Sequence, residues 1–471
     1  MLVTVFVPLV SAVENKPNIV VFIADDLGHG DLGYTGHPHI RTPHIDRLAA
    51  DGVSFQNCYA AASVCSPSRA ALMTGRMPYG LGIYGFIHVG DPYVHLPPSE
   101  NTLPQLVRAE GYQTALVGKW HVSLNDYRDE HPHIPSMEDY GFDYWFSSDN
   151  NTVILDKPAW WRNGKAQGKL DGYAANVVGD DSVKWLSDER QAETPFLLFV
   201  NFYEPHWFIE APDELVSNYH PKITANRNEA IYFASVENVD RQVGRVLETL
   251  DRLELSEDTA VFFTSDHGPA NPGKDRAHVR NYGTSKPYRG YKYGLWEGSV
   301  HVPGVMRWPG KVKPASTIQE PVSLIDFLPT VCAMTGTAAP NNLDGVNVLP
   351  LLQGNPIIRK KPLQWHHYNS TLMRSPNPNA SLRLGDYLIC GFYDADTKFK
   401  GRWIPKHMGF IRETPLKRFE LYNLANDRTQ QHNLAEKEPE RFVRMRDELR
   451  EAHQTQQRLA IDWESARPAS K

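Results

Sequence analysis

The 471-residue sequence contains only four cysteines, Cys58, Cys65, Cys332 and Cys390. They are too few and too widely spaced for a disulfide framework, and no two of them form a Cys-x-x-Cys metal or redox pair. Basic residues are not in excess either, since the formal net charge is -6. Neither a disulfide-stabilised small protein nor a partner made of nucleic acid is therefore expected.

Long hydrophobic runs are also missing. The apolar run Leu2–Val10 is too short to span a bilayer, so no membrane span is expected. It leads into Val10-Ser11-Ala12, a small-residue pattern typical of a signal-peptidase site, but the first lysine is Lys16 and no basic region precedes the run. Residues 1–12 are predicted to be a truncated signal peptide, with a buried N-terminal strand as the alternative. The signal peptide predicts a periplasmic or secreted protein.

Four short runs that are apolar at every position recur along the first part of the chain. Such runs predict strands buried on both faces, as in a parallel sheet covered by helices. Helical segments lie between them at Ser66–Thr74, Thr102–Ala109 and Asn228–Leu250. The predicted fold class is therefore α/β, with a large, mostly parallel sheet and helices on both faces. The four runs are Ile19–Ala24, Thr114–Val117, Phe196–Val200 and Ala260–Phe263.

The pattern changes after a segment rich in proline and basic residues, 355–362. Short strands are predicted at Leu363–Tyr368 and Tyr387–Phe392, followed by a charged helix from about Glu436. This succession predicts a smaller antiparallel sheet packed by one helix. The predicted division is a large domain over residues 17–355, which carries the candidate site, and a C-terminal subdomain over residues 356–471.

Polar residues follow each of the four predicted strands directly. Ligands of open α/β sheets bind beyond the carboxyl ends of the strands, so these side chains are expected to share one rim. Taken singly, each is more ordinary; His121 and His206, for example, would be polar surface histidines. The residues are Asp25 and Asp26, Lys119 and His121, Glu204 and His206, and Asp266 and His267.

The carboxylates at this rim predict a metal site. Neighbouring residues of a strand point to opposite faces, so Asp25 and Asp26 can share an ion only if the strand ends there. Gly28 and Gly30 would allow the necessary turn. Two solvated turn aspartates are the alternative. With Asp266 added, however, three carboxylates would repel one another without a cation, and their oxygens suit Ca²⁺ or Mg²⁺.

Cys65 begins the segment Cys65-Ser-Pro-Ser-Arg69. Ser66 suits the N-cap of a helix and Pro67 its first position, so Cys65 is predicted to lie immediately before a helix that Gly75 ends. The partial positive charge of a helix N-terminus stabilises an anion at that point. Arg69, one turn further on, can reach back to it.

Two other interpretations of Cys65 compete with a functional one. A lone cysteine is by default an inert buried side chain. A thiolate phosphatase would require arginine six residues after the cysteine, where this sequence has Ala71.

The segment from Cys65 to Arg76 resembles the signature of the type I sulfatases of the alkaline phosphatase superfamily, Cys-x-Pro-Ser-Arg followed by a short helix that ends in Thr-Gly-Arg. The resemblance covers nearly the whole chain. It implies a sulfatase whose cysteine a maturation enzyme oxidises to formylglycine. The other matching segments are Asn18–Gly28, Gly118–His121, Pro205-His206, Ser265–Gly268, Lys292–Gly298 and Glu420–Asp427.

By position, the resemblance implies that Asp25, Asp26, Asp266 and His267 hold Ca²⁺, with Mg²⁺ as the alternative. Oxidised Cys65 would complete that site. Many relatives have asparagine in place of His267, so the sequence departs from the commoner family pattern at this position.

The resemblance also implies roles for five other side chains. Arg69 would orient the hydrated formylglycine, and Lys119 and Lys292 would neutralise the sulfate oxygens. His206 would protonate the leaving oxygen, and His121 would help to deprotonate the remaining hydroxyl. The sequence departs from the family at His301, where many members have arginine.

Aromatic residues suggest that the substrate is a sulfated carbohydrate, because flat sugar faces pack on aromatic rings. Trp160, Trp161, Trp207 and Trp296 are candidates to line sugar subsites, and core packing is the alternative for each. Two rival functions remain open. One is a phosphonate or phosphate monoester hydrolase of the same superfamily. The other is a silent glycan-binding protein, which would need a defective nucleophile, whereas here every position is filled.

Overall fold

The computed structural model describes residues 16–88, 91, 93–124, 134–148, 160–271, 280–368, 377–394 and 404–463. The signal-peptide prediction for residues 1–12 lies outside these ranges. No helix within them is long and apolar enough to cross a membrane.

Sixteen strands are described, and they divide among three sheets. In chain order they are β1 (Asn18–Ala24), β2 (Val53–Phe55), β3 (Cys58–Tyr59), β4 (Gln113–Gly118), β5 (Tyr144–Ser148), β6 (Trp160–Arg162), β7 (Lys165–Gly168), β8 (Phe196–Asn201), β9 (Thr259–Ser265), β10 (Gly304–Arg307), β11 (Ser316–Ile318), β12 (Val322–Ser323), β13 (Leu363–His366), β14 (Ala380–Leu384), β15 (Tyr387–Phe392) and β16 (Arg418–Asn423).

Eleven α-helices connect or cover these strands within the described ranges. They are α1 (Pro43–Ala50), α2 (Cys65–Thr74), α3 (Leu103–Ala109), α4 (Ala174–Lys184), α5 (Asp213–Tyr219), α6 (Arg227–Arg252), α7 (Glu297–Val300), α8 (Phe327–Thr335), α9 (Leu349–Leu352), α10 (Met408–Glu413) and α11 (Pro439–Leu459).

The large sheet has ten strands in the order β11-β2-β10-β9-β1-β8-β4-β5-β6-β7. Its centre, β9-β1-β8-β4-β5, is parallel throughout, and antiparallel pairs join β10, β6 and β7 to it. The predicted large, mostly parallel sheet is confirmed. Each of the four predicted strands extends by one to three residues beyond its apolar run, because neighbouring residues continue the ladder.

Helices cover both faces of this sheet because both faces of β1 are apolar. Ile19 and Val21 pack in a cluster that also contains side chains of α2, α3 and α8. Val20 and Phe22 point the other way, into a cluster with side chains of α1, α4 and α6. All seven residues of β1 are buried, as expected for a strand whose last six positions are all apolar.

The predicted smaller antiparallel sheet with one helix is also confirmed: β13-β14-β15-β16 is antiparallel, and α11 packs against it. The last helix begins at Pro439 rather than near Glu436, since proline suits the first turn. Leu382 and Ile389 of this sheet share an apolar cluster with Leu116 of the large sheet. The division between residues 355 and 356 remains a prediction.

Candidate active site

Four adjacent parallel strands, β9, β1, β8 and β4, end at one edge of the large sheet. The residues that follow them therefore meet at a single rim, as the sequence predicted. Cys65 and Arg69 reach this rim from α2, and Lys292 reaches it from the loop before α7.

The turn after β1 directs two neighbouring carboxylates to the same site. The strand ends at Ala24, and Asp26 has a φ of +64°, a left-handed conformation that reverses the alternation of a strand. Asp25 is fully buried and Asp26 nearly so. Gly28 is required here because a Cβ at this position would lie 2.2 Å from the carbonyl oxygen of Thr284.

Helix α2 begins at Cys65, so the predicted placement of this residue immediately before the helix is wrong by one position. The extended residue Val64 is the N-cap. Ser66 does not cap the helix, since its hydroxyl accepts a hydrogen bond from the Ile87 amide at 2.9 Å. Gly75 ends the helix with a φ of +67°, as predicted.

The buried thiol of Cys65 lies among charged side chains. Its Sγ is 3.2 Å from His267 Nε2, 3.5 Å from Asp25 Oδ1 and 3.7 Å from Lys292 Nζ. Burial and Asp25 raise the pKa of the Cys65 thiol, whereas the ammonium groups of Lys119 and Lys292 lower it. The lowering is the larger effect, so the net shift of this pKa is downward. An anion at this position is therefore stabilised.

Three buried ion pairs organise the rim. Each carboxylate of the predicted metal site has its own cation, so the expectation that their repulsion would be uncompensated is wrong. The formal charges of the three carboxylates and the three cations cancel. Although burial raises the pKa of Asp25, Lys119 holds that pKa well below its usual value. The pairs are Lys119 with Asp25, Lys292 with Asp26 at 2.8 Å, and Arg69 with Asp266 at 2.8 Å.

The donor set still fits a divalent cation. Ligand atoms of Asp25, Cys65, Asp266 and His267 all lie within 4.8 Å of one another. Among the described residues, the buried Oδ1 of Asp266 has no hydrogen-bond partner. Burial lowers the pKa of His267, yet Asp266 and Cys65 raise it to about 9, so the surrounding groups favour a positive charge at this ligand set. Carboxylate oxygens suit Ca²⁺ or Mg²⁺.

His206 follows β8, and its side chain is 13% exposed. Its Nδ1 lies 2.7 Å from the carbonyl oxygen of Trp207, to which it donates, and its Nε2 lies 3.9 Å from Asp26 Oδ2. Burial and the ammonium group of Lys292 lower the pKa of His206 to about 4. The ring therefore has to take up a proton before it can act as an acid at Nε2.

His121 shares the rim but makes no described hydrogen bond or ion pair with the other predicted site residues. Its φ is +61°, and its Nε2 lies 2.9 Å from the carbonyl oxygen of Ile87. Within the described ranges its buried Nδ1 has no partner. Burial and Lys119 hold the pKa of His121 well below its usual value, which keeps the ring neutral and able to accept a proton.

Sequence reasoning missed Asn201, the last residue of β8. Its carbonyl oxygen accepts from the Lys119 amide at 2.8 Å, and its Nδ2 donates to the Lys119 carbonyl at 2.9 Å. Arg69 Nη1 donates to the same carbonyl at 2.9 Å. A Cβ at Gly118 would lie 1.9 Å from the Asn201 carbonyl oxygen. Asn201 therefore forms hydrogen bonds with both the amide and the carbonyl of Lys119. The only signal for it in the sequence was a polar residue at the end of an apolar run.

Asn201→Ala is expected to lower kcat/KM by about tenfold to a hundredfold, as for groups that position a functional residue without touching substrate. The measurement is a double-mutant cycle with Lys119→Ala. If Asn201 acts through Lys119, its loss should cost little once Lys119 is gone. Asn379→Ala is the matched control, because Asn379 Nδ2 also donates to a carbonyl, that of His367, in the small sheet. Additive losses for Asn201 and Lys119 would contradict the positioning role.

The prediction that Trp160, Trp161 and Trp296 line sugar subsites is wrong. Trp160 is fully buried against Phe146, and Trp161 belongs to the apolar core. Trp296 is buried beneath the guanidinium group of Arg289. Each ring fills the interior, where its large apolar area gains most from burial.

Two other residues singled out in the sequence have different surroundings. Trp207 is 38% exposed and lies next to His206. His301 is a buried core residue, stacked on Tyr288 with ring centroids 4.0 Å apart.

Comparisons with known proteins show which family the chain belongs to. The profile of the Sulfatase family matches residues 17–337, and that of the N-sulphoglucosamine sulphohydrolase C-terminal region matches residues 291–400. Steryl-sulfatase of Rattus norvegicus is 32% identical in an alignment that covers 76% of this chain and 74% of that protein. N-acetylgalactosamine-6-sulfatase of Homo sapiens is 32% identical in an alignment that covers 77% of this chain and 70% of that protein.

Solved structures share the fold over almost the whole chain. Ps i-CgsB superimposes with a TM-score of 0.78 at 26% identity, and the match covers 93% of both chains. The same protein in complex with k-i-k-neocarrahexaose gives a TM-score of 0.76 at 25% identity, again over 93% of both chains. With the family profile spanning more than half of the sequence, the chain belongs to the sulfatase family and is an enzyme that hydrolyses sulfate esters.

Proposed function

We propose that the protein removes sulfate from a sulfated carbohydrate, with Cys65, oxidised to formylglycine, as its nucleophile. Asp25, Asp26, Asp266 and His267 would hold one Ca²⁺, with Mg²⁺ as the alternative. The observation that carries the proposal is the buried set of three carboxylates and three cations around Cys65. Its zero formal charge becomes +2 with a divalent cation, which balances a sulfate ester anion and a deprotonated nucleophile.

The divalent cation and the oxidised residue would each supply part of the chemistry. A bound divalent cation polarises the oxygens that it contacts and lowers the pKa of a hydroxyl there. Hydrated formylglycine would offer one hydroxyl to attack sulfur, and deprotonation of its second hydroxyl would expel sulfate and restore the aldehyde.

Arg69 and the two lysines orient and neutralise the reacting anions. Arg69 is fixed by Asp266 and by the Lys119 carbonyl, and within the described ranges its buried Nη2 has no partner. This free donor would hold an oxygen of residue 65. Lys292 Nζ lies 3.7 Å from Cys65 Sγ, and Lys119 and Lys292 both lower the pKa of that thiol. Both ammonium groups would neutralise the sulfate oxygens.

Two histidines would move the protons. His206 would give its Nε2 proton to the leaving alkoxide while the Trp207 carbonyl keeps its Nδ1–H in place. The negative charge of bound sulfate offsets the effect of Lys292 on this ring. His121, which is neutral, would accept the proton of the remaining hydroxyl. The bond between the carbon of residue 65 and the sulfate oxygen would then break, while the S–O bond stays intact.

Two comparisons support a carbohydrate substrate, namely a human relative named for N-acetylgalactosamine 6-sulfate and a structural neighbour bound to k-i-k-neocarrahexaose. The rat relative named steryl-sulfatase makes a steroid sulfate the competing substrate class. We propose further that a formylglycine-generating enzyme matures Cys65 and that the protein acts in the periplasm or outside the cell.

The direct test of the reaction type compares sulfate, phosphate and phosphonate release from matched 4-nitrophenyl esters. A phosphate monoester carries one more negative charge than a sulfate ester. The +2 formal charge of the site with its cation would leave that extra charge unbalanced, so a phosphate monoester is disfavoured. Faster release of phosphate or phosphonate would overturn the sulfatase assignment of substrate, and binding of glycans without any ester hydrolysis would indicate a silent binding protein.

His206→Ala is expected to damage hydrolysis of a sulfated sugar more than that of an aryl sulfate, by on the order of 10²-fold or more. A sugar alkoxide is a poor leaving group and needs a proton in the transition state, whereas 4-nitrophenolate leaves without one. Both rates would be measured for the wild type and the variant. Equal losses would show that His206 binds sulfate instead.

The pH dependence of the wild type provides the control for this role. The protonated fraction of His206 grows as the pH falls toward about 4, its pKa in the free protein. The kcat/KM for the sugar sulfate should therefore rise on that side, and His206→Ala should lose this rise.

A further inference from the structure

Two aromatic side chains are exposed to solvent directly after His206, the proposed general acid. Trp207 is 38% and Phe208 is 45% exposed, and they are the only Trp, Tyr or Phe among the exposed side chains of the described ranges. Their rings stack on each other with centroids 3.6 Å apart and an angle of 28° between the planes. The pair therefore offers flat apolar surface to solvent, which is typical of an interaction site.

This aromatic pair is held in place from both sides. On one side the Trp207 carbonyl accepts the Nδ1–H of His206 at 2.7 Å. On the other side the chain returns to the core at Ile209, which is 1% exposed and whose carbonyl accepts from Arg280 Nη1 at 2.7 Å. The exposed rings are thus anchored next to His206 and at the rim that carries the ion pairs.

We infer that Trp207 and Phe208 form the subsite for the sugar ring that carries the leaving oxygen. The inference rests on the proposed function. That oxygen must come within hydrogen-bonding distance of His206 Nε2 to receive its proton, so the attached ring has to lie beside the residues that follow His206. A pyranose ring has an apolar face of C–H groups that packs on an aromatic ring, while its hydroxyl groups stay hydrated at the rim.

The test separates ring binding from sulfate binding. Trp207→Ala keeps the main-chain carbonyl that orients His206 and removes only the ring. It should raise KM for sugar sulfates about tenfold and leave kcat nearly unchanged, because stacking acts equally in the ground state and the transition state. The probes are N-acetylgalactosamine 6-sulfate and sulfated neocarra-oligosaccharides. Trp207→Phe, which restores a flat ring, should recover most of the loss.

Two controls accompany these measurements. The inhibition constant of inorganic sulfate should be the same in the wild type and in Trp207→Ala, since inorganic sulfate has no ring to stack. Ile358→Ala removes another exposed apolar side chain, 85% exposed, and should change neither KM nor the inhibition constant.

Three outcomes would overturn the subsite. They are an unchanged KM for every sugar sulfate, a parallel rise in the inhibition constant of inorganic sulfate, and a KM effect seen only with a steroid sulfate. Failure of the sulfatase function itself would look different, because the wild type would then release no sulfate from 4-nitrophenyl sulfate. If the aryl ester is hydrolysed and none of the sugar probes is, the sulfatase function stands, and the sugar assignment and the sugar subsite are both contradicted.

Discussion

Replacing Cys65 by alanine is expected to abolish turnover, with a loss on the order of 10⁶-fold, as when an enzyme loses its nucleophile. Alanine cannot be oxidised to an aldehyde, so no hydrated group can attack sulfur. The cations that surround residue 65 would remain, and bound sulfate would still be held by charge. The variant should therefore bind substrate without hydrolysing it, which equilibrium binding and rate measurements on one preparation would show.

The matched control for this variant is Cys332→Ala. Cys332 is also a fully buried, free cysteine in a helix, α8, and burial raises the pKa of its thiol to about 11. Its replacement costs a few core contacts but removes no charge partner, so activity should persist. Equal inactivation of both variants would point to a folding defect in place of a lost nucleophile.

Asp26→Ala is expected to lose both the divalent cation and activity. Outer-shell partners of metal ligands already cost about 10- to 100-fold when mutated, so removal of a direct ligand should cost more than 100-fold. The change also leaves the buried ammonium of Lys292 without its 2.8 Å partner. Ca²⁺ binding would be measured by titration calorimetry, and activity after treatment with EDTA and after readdition of Ca²⁺ or Mg²⁺.

Asp326→Ala controls for the loss of a buried ion pair as such. Asp326 is buried and pairs with Arg359 at 2.6 Å, and none of its described hydrogen-bond partners is a rim residue. Breaking this pair should cost stability, by about 3–5 kcal/mol, without loss of the cation. Wild-type protein that keeps full activity after EDTA, with no cation rebinding, would contradict the metal assignment.

The sequence predicted those parts of the fold and site that depend on local pattern. The apolar run Ile19–Ala24 has no polar position, as is typical of a strand covered on both faces. The parallel sheet could therefore be predicted. The rim followed as well, because Asp25 and Asp266 come directly after such runs and parallel neighbours end together.

What the sequence could not show was pairing between distant side chains. The expected repulsion among carboxylates failed because Lys292 and Arg69 come from segments far from Asp26 and Asp266, and contacts at that separation leave no periodic trace. Asn201 was missed because its partner, Lys119, is also distant in the sequence, and its place at the end of an apolar run did not reveal that contact.

The tryptophans failed for another reason. Trp160 and Trp207 are equally apolar in the sequence, and only tertiary packing makes one a core residue and the other an exposed ring. Start positions of helices were also uncertain, as at Cys65, because the extended conformation of Val64 supplied the N-cap in place of a polar side chain.

The central claim is that the active enzyme carries an oxidised residue at position 65, and the mass of the peptide containing it tests that claim most directly. Active protein would be digested and the peptide that spans Cys65 and Arg69 analysed by mass spectrometry. We expect a form in which the thiol group and one Cβ hydrogen are replaced by an aldehyde oxygen, in a proportion that rises with specific activity across preparations. Fully active protein in which this peptide carries only an unmodified thiol would contradict the account.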